Sequence, residues 1–307
     1  IDVERPLCAH MLRNAIDGAK KEKSFVRPPP PPEMGQKPLR PGLPPVRPPE
    51  PPPVQRLVFR MGLKGKTRFL SHIEAMNARI RALRRAAMPM SYSEGFHPHP
   101  KVAFAGARPV AEETEAEFMD VILNRELDPA EALRRLQETL PEGFEAYDVE
   151  SVPLKAASLG ARMEGAGYLF LIRDPVEGLS ERVAELLESD SVIVERRRKK
   201  KRGKSRRFRR PQSPFKQVDL RPHIRRIEVK DADGMARGAD KMVHHILQID
   251  LDVLDGRGAR PSEIMGLLGL APDRVHVVRQ ETRLKPVVSP AVSPLSDSSD
   301  ESMPASP

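Results

Sequence analysis

The sequence predicts an α+β protein of two ferredoxin-like units, each with an antiparallel sheet backed by two helices. Two observations lead to this prediction. Short segments with apolar residues at alternate positions recur between residues 55 and 285, separated by segments of helical spacing. Their order is strand, helix, strand, strand, helix, strand, once in residues 55–155 and again, more loosely, in residues 156–285. This order is typical of the ferredoxin-like arrangement.

The first unit begins with a strand and a capped helix. Residues 56–63 alternate between apolar and other residues, as a half-buried strand does. Ser71 and Glu74 then match a capping box, which predicts a helix from Ser71 to about Ala87. Pro89 ends that helix, because proline lacks the N–H group that a helix interior requires.

One face of this helix is predicted to be buried, and its arginines are predicted to cover the other faces. The buried stripe consists of Leu70, Ile73, Met76 or Asn77, Ile80 and Leu83. The arginines on the other faces are Arg79, Arg81, Arg84 and Arg85.

Three strands and one helix complete the first unit. The strands are predicted at residues 101–106, 117–124 and 144–152, where apolar residues alternate again. The helix begins at Asp128-Pro129, because proline is favoured in a first helical turn.

The second unit follows from a looser version of the same pattern. Its strands are predicted at residues 168–172, 191–195, 224–229, 242–251 and 274–279, and its helices at 180–187 and 261–268. Residues 196–216 form a basic insertion within it.

Segments outside residues 55–285 are not expected to form a core. Residues 1–26 read as a short helix, residues 27–54 as a proline-rich linker and residues 286–307 as a disordered tail. The linker is interpreted as a stiff polyproline-II spacer, and the alternative is a ligand for proline-binding modules. Because the chain starts at Ile1, we expect a fragment of a longer polypeptide.

The positive charge is concentrated in one segment. Twelve of the fifteen residues from Arg196 to Arg210 are Lys or Arg, and their removal would change the formal net charge from +9 to −3. A solvated loop is the simplest interpretation, but so many cations also attract polyanions by counterion release. Phe208 and Phe215 could stack on bases. We therefore expect a nucleic acid as the partner of this segment, and RNA before DNA. A membrane surface is not expected, because it would need an apolar face beside the charges.

Cysteine content and hydrophobicity favour the cytoplasm. Cys8 is the single cysteine, so no internal disulfide can form and a reducing compartment is favoured. No run of about 18 apolar residues is present, so no membrane-spanning segment is predicted.

The segment Tyr92–Lys101 has a composition that neither a core nor a linker explains. It contains His97 and His99, each followed by proline, and Gly95, which we expect to adopt a backbone geometry that a side chain would forbid. Three interpretations remain open: metal binding together with His72, acid–base chemistry on RNA, or a loop that places its side chains for a ligand. Zinc would need three or four ligands, and no third ligand of fixed spacing is evident.

Five motifs resemble a bacterial family of unknown function, the radical-SAM-linked or radical-SAM-associated domain. The resemblance covers Gln55 to Arg283 and departs at His97, where an Asn is usual. The motifs are Arg68-Phe69-Leu70-Ser71-His72, Tyr92-Ser93-Glu94-Gly95-Phe96-His97-Pro98-His99-Pro100-Lys101, Glu115-Ala116-Glu117-Phe118-Met119-Asp120, Val218-Asp219-Leu220-Arg221-Pro222 and Arg260-Pro261-Ser262-Glu263.

The resemblance implies a partner that performs radical chemistry. Members occur beside, or fused to the C-terminus of, a cobalamin-binding-type radical SAM protein, so residues 1–26 could be the tail of such a protein. One cysteine cannot supply the three-cysteine cluster motif, so we expect neither an iron–sulfur cluster nor any other cofactor in this segment.

These observations predict an accessory module that binds RNA and presents it to a radical SAM enzyme, and the segment itself is not expected to be an enzyme. The alternatives are a metal-free RNA-processing endoribonuclease and a protein-docking module. The candidate substrate-binding or nucleic-acid-binding residues are Arg68, His72, Arg79, Tyr92, Phe96, His97, His99, Lys101, Arg196, Arg197, Arg198, Lys199, Lys200, Lys201, Arg202, Arg206, Arg207 and Arg221. No residue is assigned to catalysis or to a metal.

Overall fold

The computed structural model describes residues 50–95, 97–198, 213–231 and 243–287. Its strands are β1 (Gln55–Leu63), β2 (Val102–Phe104), β3 (Glu113–Leu123), β4 (Phe144–Val152), β5 (Met163–Ile172), β6 (Ile193–Arg197), β7 (Phe215–Asp219), β8 (Ile224–Asp231), β9 (His245–Leu254), β10 (Arg257–Gly258) and β11 (Val275–Leu284). Its α-helices are α1 (His72–Arg85), α2 (Pro129–Thr139), α3 (Leu159–Arg162), α4 (Leu179–Glu188) and α5 (Pro261–Leu267). Short 3-10 helices span Gly65–Phe69, Arg221–His223 and Pro272–Arg274.

Nine strands form one large sheet. The hydrogen-bonded order is β10-β9-β5-β11-β3-β1-β4, with β2 also paired to β3 and β8 to β9. Every pair in it within the described residues is antiparallel except β11–β3. The predicted α+β class with largely antiparallel strands is therefore confirmed.

The first half of the chain builds its core on alternate residues of β1 and β3. Leu57 lies opposite Val121 and Phe59 opposite Met119, and all four side chains are fully buried. Leu83 of α1 and Leu136 of α2 pack into the same cluster. Burying one such side chain contributes about 1.5–3 kcal/mol, so this alternation fixes which face of the strands lies against the helices.

The predicted helix starts are confirmed. Ser71 caps α1: its hydroxyl accepts a hydrogen bond from the Glu74 N–H, and the Glu74 carboxylate accepts one from the Ser71 N–H. Asp128 caps α2 by accepting a hydrogen bond from the Glu131 N–H, with Pro129 at the first helical position. Each cap satisfies N–H groups that have no partner inside the helix.

The predicted orientation of α1 is wrong in part: Leu83 is buried and Arg81, Arg84 and Arg85 are exposed as predicted, but Ile73 and Arg79 are not placed as predicted. The buried residues are Ala75, Arg79, Ala82 and Leu83, whereas Ile73, predicted to be buried, is 63% exposed. The buried face carries two alanines and is rotated away from the stripe of larger apolar residues. Arg79, predicted to lie on an outer face, is fully buried.

The second half repeats this packing around β5, which pairs with β9 and β11. Phe170, Leu247 and Ile249 contribute to a core that α4 and α5 cover. The hairpin of β6 and β7 lies between α4 and β8 in the chain and forms a separate two-stranded sheet.

The two halves of the chain share the large sheet where β11 runs beside β3. Val278 pairs with Glu113, and Arg279 pairs with Thr114. The Thr282 hydroxyl also donates to the Ala116 carbonyl at 2.6 Å. The domain boundary between residues 155 and 156 stays a prediction, as do segments 1–26, most of 27–54 and the tail after residue 287, which lie outside the described residues.

In the described part of the chain, the helices fall short of the length and hydrophobicity that crossing a bilayer requires.

Candidate functional site

The basic segment of the sequence connects β6 to β7, and we call this connection the tip of the hairpin. Its ladder runs from the pair Ile193–Asp219 to the pair Arg197–Phe215. Residues 199–212, which connect the strands, lie outside the described residues. We call residues 193–219 the cationic hairpin.

The inner face of the cationic hairpin is anchored to the body of the protein. Val194 and Val218 pack against the core of the second half. The Arg196 guanidinium donates to both carboxylate oxygens of Glu263 at 2.7 Å and to the Gly258 carbonyl at 2.7 Å. Because a bidentate pair of this kind fixes geometry as well as charge, it holds β6 on the first turn of α5, one rung before the end of the ladder.

Arg196 is therefore committed to an internal contact, although the sequence analysis assigned it to nucleic-acid binding. Its side chain is 11% exposed. Arg197 and Arg198 are exposed, as the prediction requires. The other assigned cations of the segment, Lys199, Lys200, Lys201, Arg202, Arg206 and Arg207, lie outside the described residues.

Arg221 is also occupied within the protein. Its guanidinium donates to the carbonyl oxygens of Leu187 and Ile224. The neighbouring Asp219 accepts from the backbone N–H groups of Val192 and Arg221, and these two hydrogen bonds lower the pKa of its carboxyl. Both side chains therefore shape the turn after β7.

The loop from Tyr92 to Lys101 closes on itself through backbone contacts. Tyr92 forms an isolated bridge with Pro100, and the Ser93 N–H donates to the His99 carbonyl at 2.8 Å. Gly95 has a φ of 115°, so the predicted need for glycine is confirmed. His97 and His99 are exposed, Tyr92 and Lys101 are half-buried, and Phe96 lies outside the described residues.

His72 is not brought to the histidines of this loop. It begins α1, and its ring meets Phe104 edge-on, with centroids 5.7 Å apart. Phe104 ends β2, whereas His97 and His99 precede the start of that strand. Within the described ranges, no group of three or more His, Cys, Asp or Glu side chains is placed to hold a metal ion.

Arg68 takes part in a half-buried ionic site around Glu113. One oxygen of Glu113 lies 3.1 Å from Arg68 Nη1, 3.2 Å from His276 Nε2 and 3.0 Å from the Gly65 N–H nitrogen. Burial by itself would raise the pKa of Glu113, but the contacts with His276, Gly65 and Arg68 outweigh it and lower the pKa to about 2. Arg68 is therefore engaged within the protein, with its guanidinium also over the Phe69 ring.

This depressed pKa predicts how stability depends on pH. The ordinary pKa of Glu113 is 4.5, so its contribution is complete above about pH 4.5 and is lost as the pH falls towards 2. We expect Glu113→Gln to lower the free energy of unfolding by about 1–3 kcal/mol at pH 7. The difference from the unsubstituted protein should shrink in urea titrations towards pH 2.5. Glu115→Gln, at a more exposed glutamate of the same strand, is the control and should change stability little; a Glu113 effect that is independent of pH would contradict the assignment.

Sequence reasoning missed a cluster of buried charges. We define the buried charge cluster as Arg79, Arg108, Glu112, Glu117 and Arg279, each at most 5% exposed. Arg79 Nη2 lies 2.5 Å from Glu117 Oε2, and Arg279 Nη2 lies 2.7 Å from Glu112 Oε1. Arg108 donates to the carbonyl oxygens of Arg68, Leu70 and Glu112.

Burial is the largest influence on the pKa values of two members of this cluster, Glu112 and Arg108. Burial raises the pKa of Glu112 despite the nearby Arg279, and burial lowers the pKa of Arg108 despite Glu117 and Glu112. Several polar atoms of the cluster, including Arg79 Nε and Arg108 Nε, have no hydrogen-bond partner among the described residues. The one signal in the sequence was the pair Ala75 and Ala82, which flank Arg79 at helical spacing and lie on the buried face of α1.

A family model described as an uncharacterized protein conserved in bacteria (DUF2344) matches residues 56–258. The chain belongs to this family. The match begins at β1 and extends through the cationic hairpin to β10. The predicted membership in a bacterial family of unknown function is thus confirmed, and the match itself carries no information on a radical SAM partner.

Other comparisons add little. No curated protein matches the chain. Among solved structures, a crystal structure of a Cbf5-Nop10-Gar1 complex is similar at 10% identity and a TM-score of 0.33, over 74% of this chain and 48% of the other. A TM-score this low does not establish a shared fold, and this chain spans about half the length of that structure's chain.

Proposed function

We propose that this member of the family is an RNA-binding module that holds its RNA on the cationic hairpin. The observation that carries the proposal is the combination of an anchored hairpin and a basic connecting segment. The hairpin is anchored through Arg196 and Glu263, and eleven further cations lie between Arg197 and Arg210. Arg197 and Arg198, the described cations of this group, are exposed, so phosphates can reach them.

The proposal extends to the fold of each half. We infer two ferredoxin-like units, with strand orders β4-β1-β3-β2 and β11-β5-β9-β8. In both, the two strands joined through a helix are separated by a third strand, which is the split arrangement of that fold. Related four-stranded sheets occur in RNA-binding domains, but that likeness is an analogy of fold.

The partner in this proposal is a radical SAM protein, fused or encoded nearby. Its support is the set of motifs around Arg68, His97, Arg221 and Arg260 that resemble the radical-SAM-linked family. The module itself would bring no cofactor, would work in the cytoplasm, and would supply binding while the partner supplies the chemistry.

A salt titration of the full chain tests RNA binding. We expect a labelled RNA hairpin with an eight-nucleotide loop to bind, with log K falling linearly against log salt at a slope steeper than about −3, because each phosphate contact contributes about −0.7 to −0.9. Fluorescence anisotropy between 50 and 300 mM salt measures this slope. DNA of the same sequence is the comparison and is expected to bind more weakly. Absence of RNA binding at 50 mM salt would end the proposal.

A further inference from the structure

The described side chains on the outer face of the cationic hairpin are mostly exposed, whereas those on its inner face contact the body of the protein. Residues of one strand alternate between the two faces, so Val194 and Arg196 point inward, whereas Ile193, Glu195 and Arg197 point outward. Across the ladder, Phe215 shares the outer face with Arg197. Among the described residues, the inner side chains Val194, Arg196 and Val218 hold the hairpin on the body of the protein, and on the outer face Asp219 shapes the turn after β7.

Phe215 is an exposed aromatic residue on a fixed backbone. Its side chain is 46% exposed, and it pairs with Arg197 at the last rung before the basic tip. The Arg198 N–H donates to the Pro214 carbonyl at 2.8 Å, and Arg198 Nε donates to the Phe215 carbonyl at 3.2 Å. These bonds continue the hairpin one step beyond the ladder and keep the ring at its edge.

The face of the Phe215 ring is open. In the part of the chain that the structure describes, neither an aromatic ring nor a cation stacks on it, although other rings have such neighbours. Arg197 and Arg198 are the described cations next to this ring. An exposed ring beside cations is an arrangement on which unpaired bases stack while their phosphates meet the charges.

We propose that Phe215 is a stacking platform for an unpaired base, so that the RNA bound by the cationic hairpin is single-stranded at this point. Arg197, directly across the ladder, contacts the adjacent phosphate or stacks on the neighbouring base. This inference rests on the proposed RNA binding and specifies its substrate class: a loop, a bulge or an end. Bases in a continuous duplex are already stacked on one another and are closed to the ring.

Phe215→Leu tests the platform, because leucine keeps an apolar side chain on the hairpin and removes the π face. We expect the affinity of the full chain for an unstructured twelve-nucleotide RNA to fall about 5- to 150-fold, which is the range for losing one stacked base. The slope of log K against log salt should stay unchanged, because no phosphate contact is removed. Phe215→Tyr should retain the affinity.

Two controls separate stacking from other effects. Ile193→Ala removes the other exposed apolar side chain of the outer face, 51% exposed at the base of the hairpin, and should leave affinity unchanged. A blunt RNA duplex of equal length should bind Phe215→Leu as it binds the unsubstituted protein. Thermal unfolding of each variant confirms that the fold is retained.

The results distinguish this inference from the proposal on which it rests. Equal losses for single-stranded and duplex RNA, or no loss for either, would overturn the stacking platform while RNA binding itself stands. If the unsubstituted protein binds no RNA, both fail.

Discussion

Replacing Arg79 by methionine is expected to lower the free energy of unfolding by about 3–5 kcal/mol, because it leaves Glu117 charged and buried without its partner. Glu117 is 2% exposed, and Arg79 Nη2 is its ion-pair partner at 2.5 Å. The Arg79 guanidinium also lies 5.5 Å from the centre of the Phe144 ring and 5.8 Å from that of Phe104, so its removal loses two cation–π contacts. Urea unfolding of the full chain, followed by circular dichroism, measures the change.

A double variant distinguishes the stability that depends on the Arg79–Glu117 pair from the stability that depends on the neighbouring charges. Arg79→Met combined with Glu117→Leu removes both charges and keeps the volume apolar, and we expect it to recover most of the lost stability. Arg81→Met, on the exposed side of the same helix, is the control and should change stability by less than about 0.5 kcal/mol. A loss from Arg79→Met no larger than that of the control would contradict the buried pair. A double variant that remains as unstable as the single one would show that Arg79 acts chiefly through Arg108 and the other members of the cluster.

Neutralising the tip of the cationic hairpin is expected to reduce RNA affinity by about two to three orders of magnitude at 150 mM salt. The variant replaces Arg197, Arg198, Lys199, Lys200, Lys201 and Arg202 with glutamine. Arg196 is retained, because its bidentate bond to Glu263 holds the hairpin in place. The slope of log K against log salt should become shallower by about 0.7 for each phosphate contact that is lost, which anisotropy titrations measure directly.

The matched control removes the same number of charges elsewhere. It replaces the exposed residues Arg81, Arg84, Arg85, Arg125, Lys155 and Arg257 with glutamine. This control has the same net charge as the tip variant, so a purely non-local attraction would weaken in both to the same extent. We expect the control to keep most of its affinity. Equal losses in the two variants would remove the hairpin from the interface and favour diffuse electrostatic attraction.

Local features of this protein could be predicted from the sequence. The caps at Ser71 and Asp128 involve residues at most three positions apart, and the alternation of Leu57 and Phe59 identifies a strand within its own length. The positive φ of Gly95 likewise depends on one residue. Such features follow from steric and hydrogen-bonding rules that act between neighbours, and the α+β class followed from their order.

The roles of the charged residues were decided by partners far along the chain. In the sequence Arg196 is one more cation of the basic segment, but in the structure it is paired with Glu263, 67 positions away. Arg279 meets Glu112 across 167 positions, and Arg79 of α1 is buried beside Glu117 of β3. The sequence by itself determined the elements, their order and the location of the basic segment. The tertiary structure decided which arginines are free to bind, because desolvation and pairing are set by contacts that no local pattern records.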